Sequence, residues 1–503
     1  MSERRAGVLA HPTVLPGAFG IGDLGSSTLR FLDWVTESGQ SVWQLLPLGP
    51  TGPDHSPYAP RSSFAGNPTL ISPELLADEG WLAGDAPESP PSSAADAVDF
   101  ERVGPWKREL LRRAWDGFSK SGGERARRDL EAFVEHPDQA GWLEDWTLYA
   151  ALKERFAGSD WSSWDAGLRL REPAALGEAS RRLRERTDYH RFLQFVFFRQ
   201  WEALRVEARR RGIELVGDLP YYPAYDSADV WAHPELFRLD AEGLPLQVAG
   251  VPPDYFSEDG QRWGNPIFRW DRIAADGYAW WIDRLRANLR LVDRVRLDHF
   301  RAYAAYWEIG AAEPTAVNGR WVAGPGRAPF DAARRSLGRL PLLAEDLGLI
   351  TDDVRDLRRE LDLPGMRVLQ FGFGDGESDH LPERHPPQAV AYTGTHDNDT
   401  LRGWFRGLDE TRRNEVLRYL RTDERGMSWR AIEAVYDSPA RLVVVPLQDL
   451  FELGSEARMN RPGRAEGNWR WRADESRFTL RLASRLRALC LRTARLAGGR
   501  SRP

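Results

Sequence analysis

FLQFVFFRQWEALRVEARRRGIELVGDLP, residues 192–220, changes its period without a linker. Up to Arg211 the apolar residues recur at three and four, as in an amphipathic helix, and Gly212 stops it. IELVGDLP then starts at once as a short apolar run ending at Pro220, which reads as a strand. A helix that feeds directly into a strand is half of a βαβ unit.

Similar runs recur along the chain, each ending in a polar residue: SVWQLLPL (41–48), RVRLDHF (294–300), PLLAEDLG (341–348), RVLQFGFG (367–374), AVAYTGTHD (389–397) and LVVVPLQD (442–449). TLISPELL (69–76) is a weaker eighth. Eight strands separated by helical patterns over 503 residues predict an α/β fold, a (β/α)8 barrel in preference to an open doubly wound sheet. Asp218, Asp298, Glu345, Asp397 and Asp449 fall at the C-terminal ends of their runs, the face on which barrel enzymes build their sites. One acidic strand end is a turn or a helix cap; five ask for chemistry, although some are expected to be caps.

The whole chain, 1–503, is expected to be one catalytic barrel with mainly helical insertions around its C-terminal face. Residues 77–190 break the rhythm with a Pro/Ser/Ala-rich loop (84–97) followed by charged amphipathic helices, and read as a helical insertion. A second insertion, 226–290, follows the third strand; its loop GVPPDYFSEDGQRWGNP (250–266), with rings at Tyr255, Phe256 and Trp263, has the make-up of a lid. In RFTLRLASRLRALCLRTARL (477–496), Phe478, Leu482, Leu486, Leu489 and Leu496 share a face, as expected of a helix closing the barrel.

Charge is nearly balanced, 69 basic against 75 acidic residues, which favours neither nucleic acid nor a membrane surface. One cysteine, Cys490, excludes an internal disulfide framework and any cysteine-cluster metal site. The N-terminal apolar run is too short for a signal peptide and is broken at His11 and Pro12, so the expected location is the cytoplasm. GIGDLG (20–25) matches a dinucleotide fingerprint, but HPTVLPGAF before it holds two prolines and reads as a loop. No Gly-Lys pair exists to form a Walker A motif and the nine histidines show no metal-ligand spacing, so neither metal nor cofactor is expected.

Carboxylates remain. Acid proteolysis and glycoside transfer or hydrolysis both run on paired acids without a cofactor. The aromatic loops favour sugars, whose flat apolar faces stack on Trp and Tyr; the chain has 21 Trp. In RVRLDHFR (294–301) strand alternation puts Arg294, Arg296 and Asp298 on one face, where a neighbouring cation favours an anionic carboxylate; an exposed salt-bridged strand fits as well. In LLAEDLG, Glu345 and Asp346 face opposite sides, so one enters a pocket while the other caps or packs. In THDND, Thr395, Asp397 and Asp399 share a side, and alternation does not choose among them.

At these residues the chain resembles glycoside hydrolase family 77, the 4-α-glucanotransferases called amylomaltases or disproportionating enzymes. The resemblance is carried by HPTVLPGAFGIGDLG, SPYAPRSSFAGNP, GDLPYYPAYDSADVWAHPELF, VAGVPPDYFSEDGQRWGNP, VRLDHFRAYAAYWEIG, LLAEDLG, LPGMRVLQFGF, YTGTHDNDTLRGW and GSEARMNRPGRAEGNWRWR. It implies retaining double displacement on α-1,4-glucans, with Asp298 as nucleophile, Glu345 as general acid/base and Asp397 as transition-state stabiliser. It further implies donor-site contacts from Tyr58, Asp218, Arg296, His299 and His396, and longer-chain contacts from Asp254, Gln261, Trp263, Asp375, Asn468 and Trp469. For His299 to face sugar, the strand must end beside it; Arg294 is left without a role. Val14, Tyr221 and Pro223 depart from the family pattern on the donor side. The implied partners are a glucan donor and a glucose or maltooligosaccharide acceptor, with the protein a monomer or homodimer. An α-glucan hydrolase and a non-catalytic glucan-binding protein are the alternatives.

Overall fold

All five residues of LVVVP (442–446) are buried, as in a strand covered on both faces. Each of its three valines, Val443 to Val445, contributes roughly 1.5–3 kcal/mol through burial. A computed structural model describes residues 3–82, 96–253, 257–374, 378–464 and 466–496. In it this run is β12, paired in parallel with β1 (Arg5–Leu9) and β11 (Val390–Tyr392). With β2 (Val42–Gln44), β3 (Glu214–Leu219), β6 (Arg294–Leu297), β9 (Leu342–Ala344) and β10 (Met366–Val368) they form an eight-stranded parallel sheet, ordered β10-β11-β12-β1-β2-β3-β6-β9. Helices surround it as a (β/α)8 barrel.

The eighth strand is not TLISPELL. Pro68 and Pro73 each begin a helical turn, Pro68–Leu70 and Pro73–Asp78, as proline favours at a first helical position. Its place belongs to RAGVL, residues 5–9, between β12 and β2. Gly7 in its middle is required by close approach: a Cβ there would lie 2.4 Å from the carbonyl oxygen of Val42.

Between β9 and β10 the described residues form no ladder. The seam is bridged by the Ala344 N–H donating to Pro364 O (2.9 Å) and by Asp346, whose Oδ1 accepts the Met366 N–H at 2.6 Å. Arg358 and Arg367 flank the same buried carboxylate at 3.1 and 3.7 Å. A side chain thus closes the ring where backbone pairing lapses.

Residues 100–210 are helical for most of their length, with Trp142, Trp146, Trp161 and Trp164 buried and Trp106 and Trp115 partly so. The segment after β3 holds helices Ala228–Ala232, Trp270–Ala275 and Ala279–Leu291, and two strands as well. β4 (Gln247–Val251) and β5 (Gln261–Pro266) pair antiparallel and join β7 (Ala305–Gly310) and β8 (Arg320–Ala323), in the order β5-β4-β7-β8. The 250–266 loop is therefore a strand connection carrying Trp263 on β5; Tyr255 and Phe256 lie outside the described residues. Helix Leu480–Arg492 buries Leu486 and Leu489 against the barrel, and Phe478 stacks edge-on to Phe31, 6.0 Å away. Among the described residues no helix is long and apolar enough to cross a membrane.

Candidate active site

β6 ends at Leu297 and leaves Asp298 at its C-terminal rim. Arg296, on the same face, points into the barrel with a side chain 4% exposed, and its Nη1 donates to Asp298 Oδ1 at 2.9 Å. The register pairs Arg296 with Asp218 of β3, and the same Nη1 lies 2.8 Å from both oxygens of that fully buried carboxylate. Burial alone would lower the Arg296 pKa; Asp218 and Asp298 hold it well above the ordinary value.

Past Asp298 the chain leaves the pleat. His299 takes φ +48°, so its ring points towards the site from a position that continued alternation would have turned away. Its N–H donates to Glu345 Oε2 at 2.8 Å, while the Leu347 N–H donates to Oε1 at 2.9 Å. Burial, together with the nearby Asp298 charge and against Arg296, pushes the Glu345 carboxyl up to about 7. Burial pulls the His299 imidazole down to about 4, and its buried Nε2 has no partner among the described residues. The ring meets Trp263 edge-on at 4.8 Å and Tyr221 at 6.3 Å.

The THDND segment follows β11 after Tyr392 and is no longer a strand, so alternation has no force there. Asp399 turns to the hydroxyl of Ser455 (2.7 Å). Asp397 instead faces His396 Nε2 at 3.2 Å and accepts from Asn460 Nδ2 at 2.6 Å. Burial would raise its pKa; His396, Asn460 and Arg296 hold it well below the usual carboxylate range. Tyr58 completes the wall: its hydroxyl donates to Asp218 at 2.7 Å and its ring stacks on His396, centroids 4.7 Å apart. Trp469, at φ +63°, lies 5.9 Å from the Tyr58 ring.

Thus Tyr58, Asp218, Arg296, Asp298, His396, Asp397 and Trp469 form one contact network; His299, next in the chain to Asp298, joins Glu345 and Trp263 to it, with Gln261 accepting from Trp263 Nε1 (3.1 Å). Asn468 differs: its amide holds the 461–468 turn through Arg461 and Arg464. Asp254 and Asp375 lie outside the described residues. Asp449 serves structure, accepting from Thr393 Oγ1 and from the Leu401 N–H that opens a helix. Asn460 and Arg458, which donates to the Asp397 carbonyl at 2.7 Å, had no charge or parity signal; only their place in GSEARMNRPG marks them. Among the described residues no three His, Cys, Asp or Glu side chains gather to hold a metal.

A sequence profile described as 4-alpha-glucanotransferase, glycoside hydrolase family 77, matches residues 10–477. The chain belongs to glycoside hydrolase family 77. Its relatives in family 77 include the 4-alpha-glucanotransferase of Thermus thermophilus, 47% identical over 98% of this chain and 99% of that one. The Aquifex aeolicus 4-alpha-glucanotransferase is also 47% identical, over 94% and 96%. Amylomaltase from Streptococcus agalactiae, solved in complex with acarbose, superposes with a TM-score of 0.94 at 35% identity, covering 98% of this chain and all of that one. As a family 77 member the chain is an enzyme, a 4-alpha-glucanotransferase. Of its departures from the family 77 pattern, Tyr221 touches the site: it packs behind His299 and donates to the Ala302 carbonyl (3.3 Å). Val14 is buried in a turn, and the Pro223 carbonyl accepts from Asn265.

Proposed function

We propose that the enzyme moves an α-1,4-glucan segment from a donor to the 4-hydroxyl of glucose or a maltooligosaccharide by retaining double displacement through a glucosyl-Asp298 ester. Asp298 attacks the anomeric carbon while Glu345 gives its proton to the departing glycosidic oxygen. Loss of the Asp298 charge on glycosylation then lowers the proton affinity of Glu345, which accepts the acceptor's hydroxyl proton as the new bond forms. Asp397, held anionic by His396 and Asn460, stabilises the oxocarbenium-like transition state through the sugar hydroxyls.

One observation carries this reading: Glu345 is pushed up to about 7, so it holds a proton near neutrality, while its Oε2 is tied to the residue beside Asp298. Tyr58, Asp218, Arg296, His299 and His396 are assigned to the reacting sugar, with the unpartnered His299 Nε2 offered to a hydroxyl. Gln261, Trp263, Trp469, Asn468, Asp254 and Asp375 are assigned to more distant glucose units. Transfer over hydrolysis requires the ester to meet sugar before water, a task given to the 250–266 connection and Trp263.

Maltotriose tests the reading. Glucose with longer oligosaccharides, lost in Asp298→Asn, is expected; reducing ends rising without longer products would make the enzyme a hydrolase. Shortening 250–266 should raise the hydrolysed fraction, and an unchanged ratio removes that role from the loop. A folded wild type that binds glucan and leaves maltotriose intact would end the catalytic reading.

A further inference from the structure

Asp218, Asp298 and Glu345 stand at the C-terminal ends of their strands, whereas the first residues of β1, β3 and β6, Arg5, Glu214 and Arg294, stand at the other end. There they line a cavity of about 500 Å³ together with Arg209, Asp293 and Arg339. Four guanidinium groups face two carboxylates, an excess of two positive charges on a chain whose formal net charge is −6.

Both carboxylates are already engaged. Glu214 is held between Arg5 Nη1 and Arg294 Nε, the latter at 2.7 Å. Asp293 accepts from Arg209 at 3.0 Å and from the Leu215 N–H at 3.0 Å, with Arg205 at 3.9 Å. Arg5 is held at all three nitrogens, Nη1 on Glu214 and the other two on Ser41. Arg294 is different: Glu214 fixes it through Nε, its side chain is 11% exposed, and among the described residues its two Nη groups reach no acceptor. Among the described residues Arg339 makes no ion pair or side-chain hydrogen bond. A half-buried guanidinium fixed to Glu214 through one nitrogen, with its fork open to a cavity that Arg339 also lines, is preorganised for a tetrahedral oxyanion.

We infer that the N-terminal mouth of the barrel is a binding site for a phosphate dianion, free or as the monoester of a small sugar, held by Arg294 and Arg339. The excess of two positive charges in the lining matches the two negative charges of the dianion, and the guanidinium fork suits phosphate oxygens. The cavity volume admits a small molecule. Arg294 opens β6 and Asp298 follows its last residue, about 13 Å away, so a phosphate there does not touch Asp298.

Calorimetry and thermal shift on the full chain at pH 7.5, with sodium phosphate, glucose 1-phosphate, glucose and sodium chloride at matched ionic strength, test the site. Saturable binding of phosphate or glucose 1-phosphate, absent with glucose and chloride, is expected; the tighter of the two names the natural form. Arg339→Gln, at an exposed residue without partners among the described residues, should weaken binding about tenfold or more and leave maltotriose turnover unchanged. Arg294→Gln should do the same, Glu214 keeping Arg5. Absence of saturable binding, or equal affinity in wild type and both variants, overturns the inference.

Discussion

The backbone N–H of His299 donates to Oε2 of Glu345 at 2.8 Å from a left-handed conformation, φ +48°. Conformations of this kind cost about 1–3 kcal/mol in a side chain other than glycine, and persist where surrounding contacts over-determine them. Here one residue makes two contributions: its backbone N–H holds the Glu345 carboxyl, and its ring lies beside Trp263 and Tyr221.

His299→Asn separates the two. Asparagine tolerates the left-handed region and keeps the N–H to Glu345, so stability should stay within about 1 kcal/mol. It lacks Nε2, so kcat/KM for maltotriose should fall about ten- to hundredfold. Thermal unfolding with initial rates checks both, and unchanged kcat/KM would sink the sugar-facing role.

The proposed general-acid role requires Glu345 protonated, so kcat/KM should decline as pH rises through about 7. Asp346 is among the charges that raise Glu345, so Asp346→Asn should move this basic limb to lower pH. A limb that stays in place in Asp346→Asn would remove that influence.

The same shift has a stability consequence of the opposite kind to a salt-bridged acid. The folded state keeps a proton on Glu345 that the unfolded chain releases from about pH 4.5, so stability falls as pH rises from there to about 7. Glu345→Gln should therefore gain stability over wild type as pH rises across this window, with little further change above it. Melting temperatures of both proteins at pH 4.5 and 8 decide it; a constant difference contradicts the burial argument.

Asp346→Ala removes the acceptor that spans the β9–β10 seam and leaves Arg358 and Arg367 without their buried carboxylate. Loss of about 3–5 kcal/mol is expected, read as a lower urea midpoint, with Asp346→Asn milder because it retains an acceptor for Met366.

Tyr58→Phe keeps the ring on His396 but deletes the hydroxyl bonded to buried Asp218. A loss of about 1–3 kcal/mol in transition-state binding is expected, roughly five- to hundredfold in kcat/KM. Wild-type kinetics in Tyr58→Phe would assign the hydroxyl to packing alone.

Much of the site was legible because its signals are local. Arg296 and Asp298 share a face because a strand has a two-residue period, and Glu345 and Asp346 do part company, one to the site and one to the seam. That rule lapses at Asp397 and Asp399, which lie beyond the strand end, where only their partners decide direction. β1 was illegible for another reason: it is five residues long with a glycine in the middle, and that glycine answers to Val42 on a neighbouring strand. The prolines of TLISPELL and its flank, read with their helical preference, pointed away from a strand.

By itself the sequence determined the alternation of helices and strands, the barrel class, and the acids standing at strand ends, because periodicity and strand termini are properties of neighbours along the chain. Only the tertiary structure decided that Arg296 meets Asp218 across the β3–β6 register, that Asn460 reaches Asp397 from 63 residues away, and that Arg294 answers to Glu214 at the opposite mouth. Those pairings follow from strand register and from loops folding back over the barrel end, and both are set by packing between segments distant in sequence.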